Sequence, residues 1–204
     1  KKAVTSLYER YPSLKVCQSD IDAALCQWIE TYRRGGKLIL CGNGGSAADC
    51  AHITGELMKG FLSKRTVTDT RIKPELRKNL QGSLPAISLP DQGAVLTAFA
   101  NDAEPAMVYA QLVYGYAKPQ DTVVGISTSG NSENIVHAIE VAKALNVKTV
   151  CLTGHSESKL SSAADICIRV PETQTYRIQE LHLPVYHYLC AKTEEEFFGL
   201  EANV

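Results

Sequence analysis

KLILCGNGGSAADCAHITGEL (37–57) runs from an apolar stretch into glycines and then into a helical pattern. KLILC shows no polar alternation, as expected for a strand covered on both faces of a parallel sheet. Gly42, Gly44 and Gly45 permit a tight turn close to the backbone, and Ser46 opens a helical pattern over 46–61. At such a strand–turn–helix junction, backbone N–H groups and the helix dipole together favour an anion.

The same rhythm recurs along the chain. LPAISL (84–89), TVVGIS (122–127), KTVCLT (148–153) and DICIRV (165–170) are further short apolar runs. Helical patterns lie between and after them, at 92–117 with a break at Asn101–Pro105, at 132–145, briefly after Ser156, and over about 174–198. Strand–helix alternation of this kind predicts βαβ units and an open, doubly wound α/β sheet, although strand order is not encoded in the pattern. Ahead of it, Leu7, Leu14, Ile21, Leu25, Trp28, Ile29 and Tyr32 recur at helical spacing. They predict one or two helices, broken near Pro12 and stopped at Gly35-Gly36. The expected organisation is a helical arm over 1–36 and a single α/β domain over 37–204. LSKRTVTDTRIKPELRKNLQGS (62–83) departs from the rhythm, being polar, mostly basic and without a strand pattern. A solvated surface insertion with a short helix in IKPELRKNL is expected there, in preference to a basic lid over an anionic substrate.

Composition narrows the class. The 204 residues are 45% hydrophobic and 21% charged, with a net charge of -1, so no global charge points to nucleic acid or a membrane surface. No apolar run approaches the roughly 20 residues of a spanning helix. The opening KKAVTSLYERYP lacks the apolar core of a secretion signal, and the absent initiating Met suggests slight trimming. Seven cysteines without a C-x-x-C pair argue against a disulfide framework or a cysteine-rich zinc site. Small buried hydrophobes in a reducing cytoplasm are the expectation.

A second junction, ISTSGNSEN (126–134), sets Ser127, Thr128, Ser129 and Ser132 around Gly130. One such hydroxyl would be a turn former or N-cap; four at a strand's carboxyl end favour a phosphate, which needs many small donors. The absence of G-x-x-x-x-G-K-[ST] argues against a P-loop NTPase. Gly42-Asn43-Gly44-Gly45-Ser46-Ala47 fits G-x-G-x-x-A, but the strand and acidic residue expected about 20 positions on are missing. His52 and Glu56 share a helix face at i and i+4. A second polar cluster, RIQELHLPVYH (177–187), holds Arg177, Gln179, Glu180, His182 and His187. Carboxylate, imidazoles and amide suit a zinc or other transition-metal site, or an acid/base pair. Gln179 and His187, however, lie about 12 Å apart along a straight helix. Either Pro184 kinks it or a neighbouring subunit supplies one group.

CGNGGSAAD with His52 and Glu56, AND (100–102), ISTSGNS and RIQE-x-H together resemble the sugar isomerase (SIS) domain family, and within it the phosphoheptose isomerases. The resemblance covers about 37–198. It implies a flavodoxin-like three-layer α/β/α sandwich with a five-stranded parallel sheet, assembled as a homotetramer with active sites between subunits. It implies phosphate contacts from Ser46, Ser127, Thr128, Ser129 and Ser132, beside the backbone of Gly44 and Gly45. Asn43 and the Asn101–Asp102 turn would line the sugar. Glu56 and His187 match the acid/base pair, and His52, Glu56, Gln179 and His187 match the positions that hold zinc in members with metal. Three features depart from the family pattern: Tyr176 where an acidic residue is expected, the long 62–83 segment, and Pro184 inside the late helix.

The activity so implied is aldose–ketose isomerisation of sedoheptulose 7-phosphate to D-glycero-D-manno-heptose 7-phosphate through an enediol(ate). Glu56 and His187 would move the protons. Two alternatives stay open at this point. One is a non-catalytic SIS protein that binds a sugar phosphate or a protein partner, such as a replication initiator. The other is an isomerase of a different phosphosugar.

Overall fold

The computed structural model describes residues 7–199, so the first six residues of the expected helical arm and residues 200–204 lie outside it. The elements in chain order are α1 (Leu7–Arg10), α2 (Gln18–Arg33), β1 (Leu38–Gly42), α3 (Gly45–Met58), α4 (Pro74–Arg77), β2 (Ala86–Ser88), α5 (Gly93–Asp102), α6 (Val108–Tyr116), β3 (Thr122–Ile126), α7 (Glu133–Ala144), β4 (Lys148–Thr153), α8 (Lys159–Ala163), β5 (Ile166–Arg169) and α9 (Thr175–Phe198). Short 3-10 turns at Pro12–Cys17, Leu89–Asp91 and Pro105–Met107 sit where prolines break longer patterns. β2 keeps only three residues of the expected run, because Pro85 and Pro90 flank it and neither can donate to a ladder.

The five strands pair in parallel in the order β2-β1-β3-β4-β5. Alternate residues of each central strand feed separate cores. Leu38, Leu40, Val124 and Ile126 pack with α2, α3 and α9, through Trp28, Ile53 and Leu189 among others. Ile39, Cys41, Val123 and Cys151 pack with α6, α7 and α8. That is the expected flavodoxin-like three-layer sandwich, and it explains why β1 and β3 are apolar at nearly every position. Strand order reverses between β1 and β3, and in such sheets the ligand crevice opens at this switch point, off the carboxyl ends of the strands. No described helix is long and apolar enough to cross a membrane.

α9 runs through Pro184 without a break in the helix. The proline removes one backbone donor, the partner that Glu180's carbonyl would otherwise have had.

The 62–83 segment corrects the expectation of a wholly solvated insertion. α4 is four residues long and buries none of them, but Arg65 is 1% exposed. Its guanidinium donates Nε to Glu194 Oε1 (2.6 Å), Nη1 to the Leu57 carbonyl (2.6 Å) and Nη2 to the Glu56 carbonyl (2.8 Å). Those carbonyls belong to the last turn of α3, whose acceptors have no partner within the helix. Glu194 also accepts the backbone N–H groups of Phe61 (2.8 Å) and Leu62 (2.7 Å). Arg65 takes φ 48°, a left-handed conformation that a non-glycine residue holds only when its surroundings fix it.

Glu194→Gln leaves the buried Arg65 charge uncompensated and is expected to lower unfolding stability by about 3–5 kcal/mol in urea denaturation. The paired replacement Arg65→Met/Glu194→Leu, which removes both charges, is expected to cost less than the single change.

Candidate active site

Register brings the two glycine–serine junctions together. Gly42, last in β1, pairs with Ile126, last in β3, so Asn43–Ser46 and Ser127–Ser132 leave the sheet side by side. A Cβ on Gly42 would stand 2.6 Å from the Ser46 carbonyl oxygen, so only glycine lets α3 start this close to the strand. Gly44, the N-cap of α3, takes φ 54° and ψ -121°, and Gly130 takes φ 65°. Neither α3 nor α7 has a side-chain cap bond at its N-terminus, and the N–H groups of Ser46 and Ala47 turn back to the carbonyls of Asn43 and Gly44.

Asn43 and Asn134 exchange two amide hydrogen bonds of 2.9 Å and tie one junction to the other. Ser127 Oγ and Ser132 Oγ are 3.0 Å apart, and Ser129 Oγ accepts the Asn131 N–H. Ser46 and Ser127 are buried, and Thr128 holds the loop through its carbonyl, which accepts the Gly154 N–H (3.1 Å). Hydroxyls and helix N-termini of this kind form an anion cradle.

A second cluster lies further along α3. His52 Nε2 is 3.2 Å from Glu56 Oε1 and 3.3 Å from His187 Nε2. The imidazole rings of His52 and His187 meet edge-on with centroids 4.9 Å apart. Phe61 packs on the other side of His187, centroids 5.5 Å apart. Burial, and next the neighbouring His52, push the His187 pKa down, while Glu56 opposes them. His187 also lines a groove of about 420 Å³ with Tyr11, Phe61, Leu183 and Tyr188. Among the described residues, no three His, Cys, Asp or Glu side chains close into a preformed metal cluster.

Gln179 is not brought to this cluster within the chain. Its amide lies against the N-terminus of α3, where a Cβ on Gly45 would stand 2.6 Å from Gln179 Nε2. His52 and His187 lie two turns further along α3 and α9. Asn101 and Asp102 sit at the exposed end of α5, where their side chains bond to each other (2.8 Å). His182, counted in the polar cluster by sequence, is a core residue: it is fully buried, with Nε2 3.2 Å from the Thr153 carbonyl. Tyr176 is exposed and receives a hydrogen bond from Arg177 Nε (3.1 Å).

Two residues beside the cluster escaped sequence reasoning. Tyr186 Oη lies 3.0 Å from Asp49 Oδ1 and 3.0 Å from His52 Nδ1. Asp49, His52 and Glu56 share one face of α3 at i, i+3 and i+7, a spacing that would have exposed Asp49. Nothing in the sequence distinguishes Tyr186 from a core aromatic.

The buried His182 gives a pH prediction. Burial pushes its pKa down from 6.5 to about 4, so the unfolded chain binds this proton more readily than the folded one. The stability it contributes is complete above about pH 6.5 and is lost as pH falls toward 4. Urea midpoints measured between pH 7 and 4 are expected to fall less steeply in His182→Gln than in the unaltered protein.

Known proteins share this architecture. The SIS domain family model matches residues 3–154. A phosphoheptose isomerase of Akkermansia muciniphila is 33% identical over 98% of this chain and 97% of its own length. Another, of Roseiflexus sp. (strain RS-1), is 41% identical over 83% of this chain and 78% of its own. The solved phosphoheptose isomerase of Francisella tularensis superposes with a TM-score of 0.76 at 29% identity, covering 94% of this chain and 93% of its own.

Proposed function

This chain belongs to the SIS domain family, and on that premise we propose that it isomerises sedoheptulose 7-phosphate to D-glycero-D-manno-heptose 7-phosphate. It is a phosphosugar isomerase, and its relatives at 33% and 41% identity both carry the phosphoheptose isomerase name. The observation that carries the catalytic assignment is the meeting of Glu56 and His187, from different helices, on the same ring nitrogen of His52. A protein that only bound sugar or a partner would have no use for that arrangement, and the relatives do not favour such a scaffold.

The substrate phosphate enters the cradle of Gly44, Gly45, Ser46, Ser127, Thr128, Ser129 and Ser132, with Asn43, Gln179, Asn101 and Asp102 as candidates for the sugar hydroxyls. Binding at this remote end orients the carbonyl end toward α3 and α9. Glu56 takes the proton from the carbon beside the carbonyl, and the C–H electron pair becomes the C=C bond of an enediolate. His187 delivers a proton to the other carbon, where the C=C pair forms the new C–H bond, and the hydroxyl proton of the first carbon passes to the former carbonyl oxygen, leaving the carbonyl on the first carbon. Its depressed pKa makes its protonated form give the proton up readily.

Zinc fits part of this donor set. Tetrahedral zinc with ligands at about 2.0–2.1 Å sets neighbouring donor atoms about 3.3 Å apart. The distances from His52 Nε2 to Glu56 Oε1 (3.2 Å) and to His187 Nε2 (3.3 Å) match two such edges. Gln179 would complete the set only from a neighbouring subunit, in line with a homotetramer that forms its sites between chains. α5 supports such an assembly, since this apolar helix (GAVLTAFAND) has no buried residue within the single chain. Bound at these residues, zinc would supply Lewis-acid polarisation of the substrate carbonyl.

Incubation with sedoheptulose 7-phosphate is expected to yield heptose 7-phosphate; no turnover with or without added zinc overturns the assignment for this substrate. Glu56→Gln is expected to lower kcat at least about 100-fold, the range of a lost acid/base group. Ser127→Ala should act mainly on KM, raising it about 10-fold, the scale of one charge-assisted hydrogen bond.

A further inference from the structure

We propose that Asp49 and Tyr186 are a positioning pair that holds His52 with its proton on Nδ1, leaving Nε2 as a bare lone pair that faces His187. The inference deepens the isomerase assignment and rests on it only for its catalytic consequence.

Proton counting carries it. The Tyr186 hydroxyl is buried with a residue exposure of 1% and touches two partners, Asp49 Oδ1 and His52 Nδ1, each at 3.0 Å. A phenol has one proton to donate, and an ionised carboxylate only accepts. The tyrosine proton therefore goes to Asp49, in a charge-assisted bond that is the stronger of the two available. The remaining contact is a hydrogen bond only if His52 donates from Nδ1 to the tyrosine oxygen. A neutral imidazole has a single N–H, so Nε2 is left as an acceptor.

On the other side of the ring, His187 is the neighbour able to donate to that acceptor, while the Glu56 carboxylate can share it only through a cation. His52 Nε2 faces Glu56 Oε1 at 3.2 Å and His187 Nε2 at 3.3 Å. An Nε2 lone pair so placed can accept from His187 or bind a cation shared with the carboxylate. With the opposite tautomer it would do neither. Consecutive residues of α9 thus clamp both nitrogens of one ring: Tyr186 at Nδ1 and His187 at Nε2. The Tyr186 ring also packs edge-on against His52, 5.4 Å between centroids and 75° between planes, which fixes the ring's tilt. Partners of this type set the tautomer of a histidine ligand or base and raise its basicity.

The test is two-bond 1H–15N correlation NMR on 15N-labelled, chelator-treated protein, with the His52 signals assigned by their loss in His52→Gln. The unaltered protein is expected to show His52 as the neutral Nδ1–H tautomer, and Tyr186→Phe, which keeps the ring and removes one oxygen, to lose it. In Tyr186→Phe, zinc affinity measured by dye competition and kcat should each fall about 10-fold, the low end for loss of an outer partner, with KM little changed. An Nε2–H tautomer in the unaltered protein overturns the proposal, and that measurement decides the matter even if Tyr186→Phe fails to fold. So does a Tyr186→Phe variant whose zinc affinity and kcat are both unchanged. If the tautomer and its loss are seen, zinc affinity falls, but no phosphosugar turns over, the pair stands and the isomerase assignment falls.

Discussion

Parallel pairing of β1 with β3, ending at Gly42 opposite Ile126, decides where everything else in the site can be. Each strand hands over to a helix within three to seven residues, and each handover leaves a helix N-terminus open beside the other. A one-residue slip would turn every side chain of a strand to the opposite layer, which two buried faces forbid. The packing of two hydrophobic cores therefore fixes the spacing of the two glycine–serine junctions. The amide pair Asn43–Asn134 then ties together two loops that the sheet has already placed.

The distal half of the site depends on two helices rather than on the sheet. α3 starts at the Asn43–Ser46 junction and carries Asp49, His52 and Glu56 along one face, each about one turn further from that junction. α9 lies against it, with Gln179 beside the start of α3 and Tyr186 and His187 beside His52. The helices act as two rulers laid side by side: one end meets the glycine–serine junctions, the other gathers titratable groups. That separation suits a substrate whose charged end and reactive end are far apart along a carbon chain.

Much of the architecture was legible in the sequence because buried parallel strands and their crossover helices have unmistakable periods. KTVCLT was read residue for residue as β4, whereas LPAISL shrank to three residues because its flanking prolines deny it a ladder. Helix spacing placed His52 with Glu56, since both lie on one element. What lay beyond reach was the pairing of distant elements. No local pattern separates His182, which packs in the core under Thr153, from His187 five positions on, which meets His52. Arg65 is the sharpest case: within a basic, polar segment, nothing marks one arginine as fully buried, because its partner Glu194 is known only once α9 is folded against α3.

That ion pair joins residues 129 positions apart, and its guanidinium holds the carbonyl of Glu56 itself. During synthesis the cradle segments, up to Ser132, leave the ribosome well before residue 194 does. Until Glu194 arrives, the buried guanidinium that holds the Glu56 carbonyl has no carboxylate to balance its charge. The glycine–serine junctions are therefore made first, whereas Glu56 acquires its final seating only when residue 194 has been added.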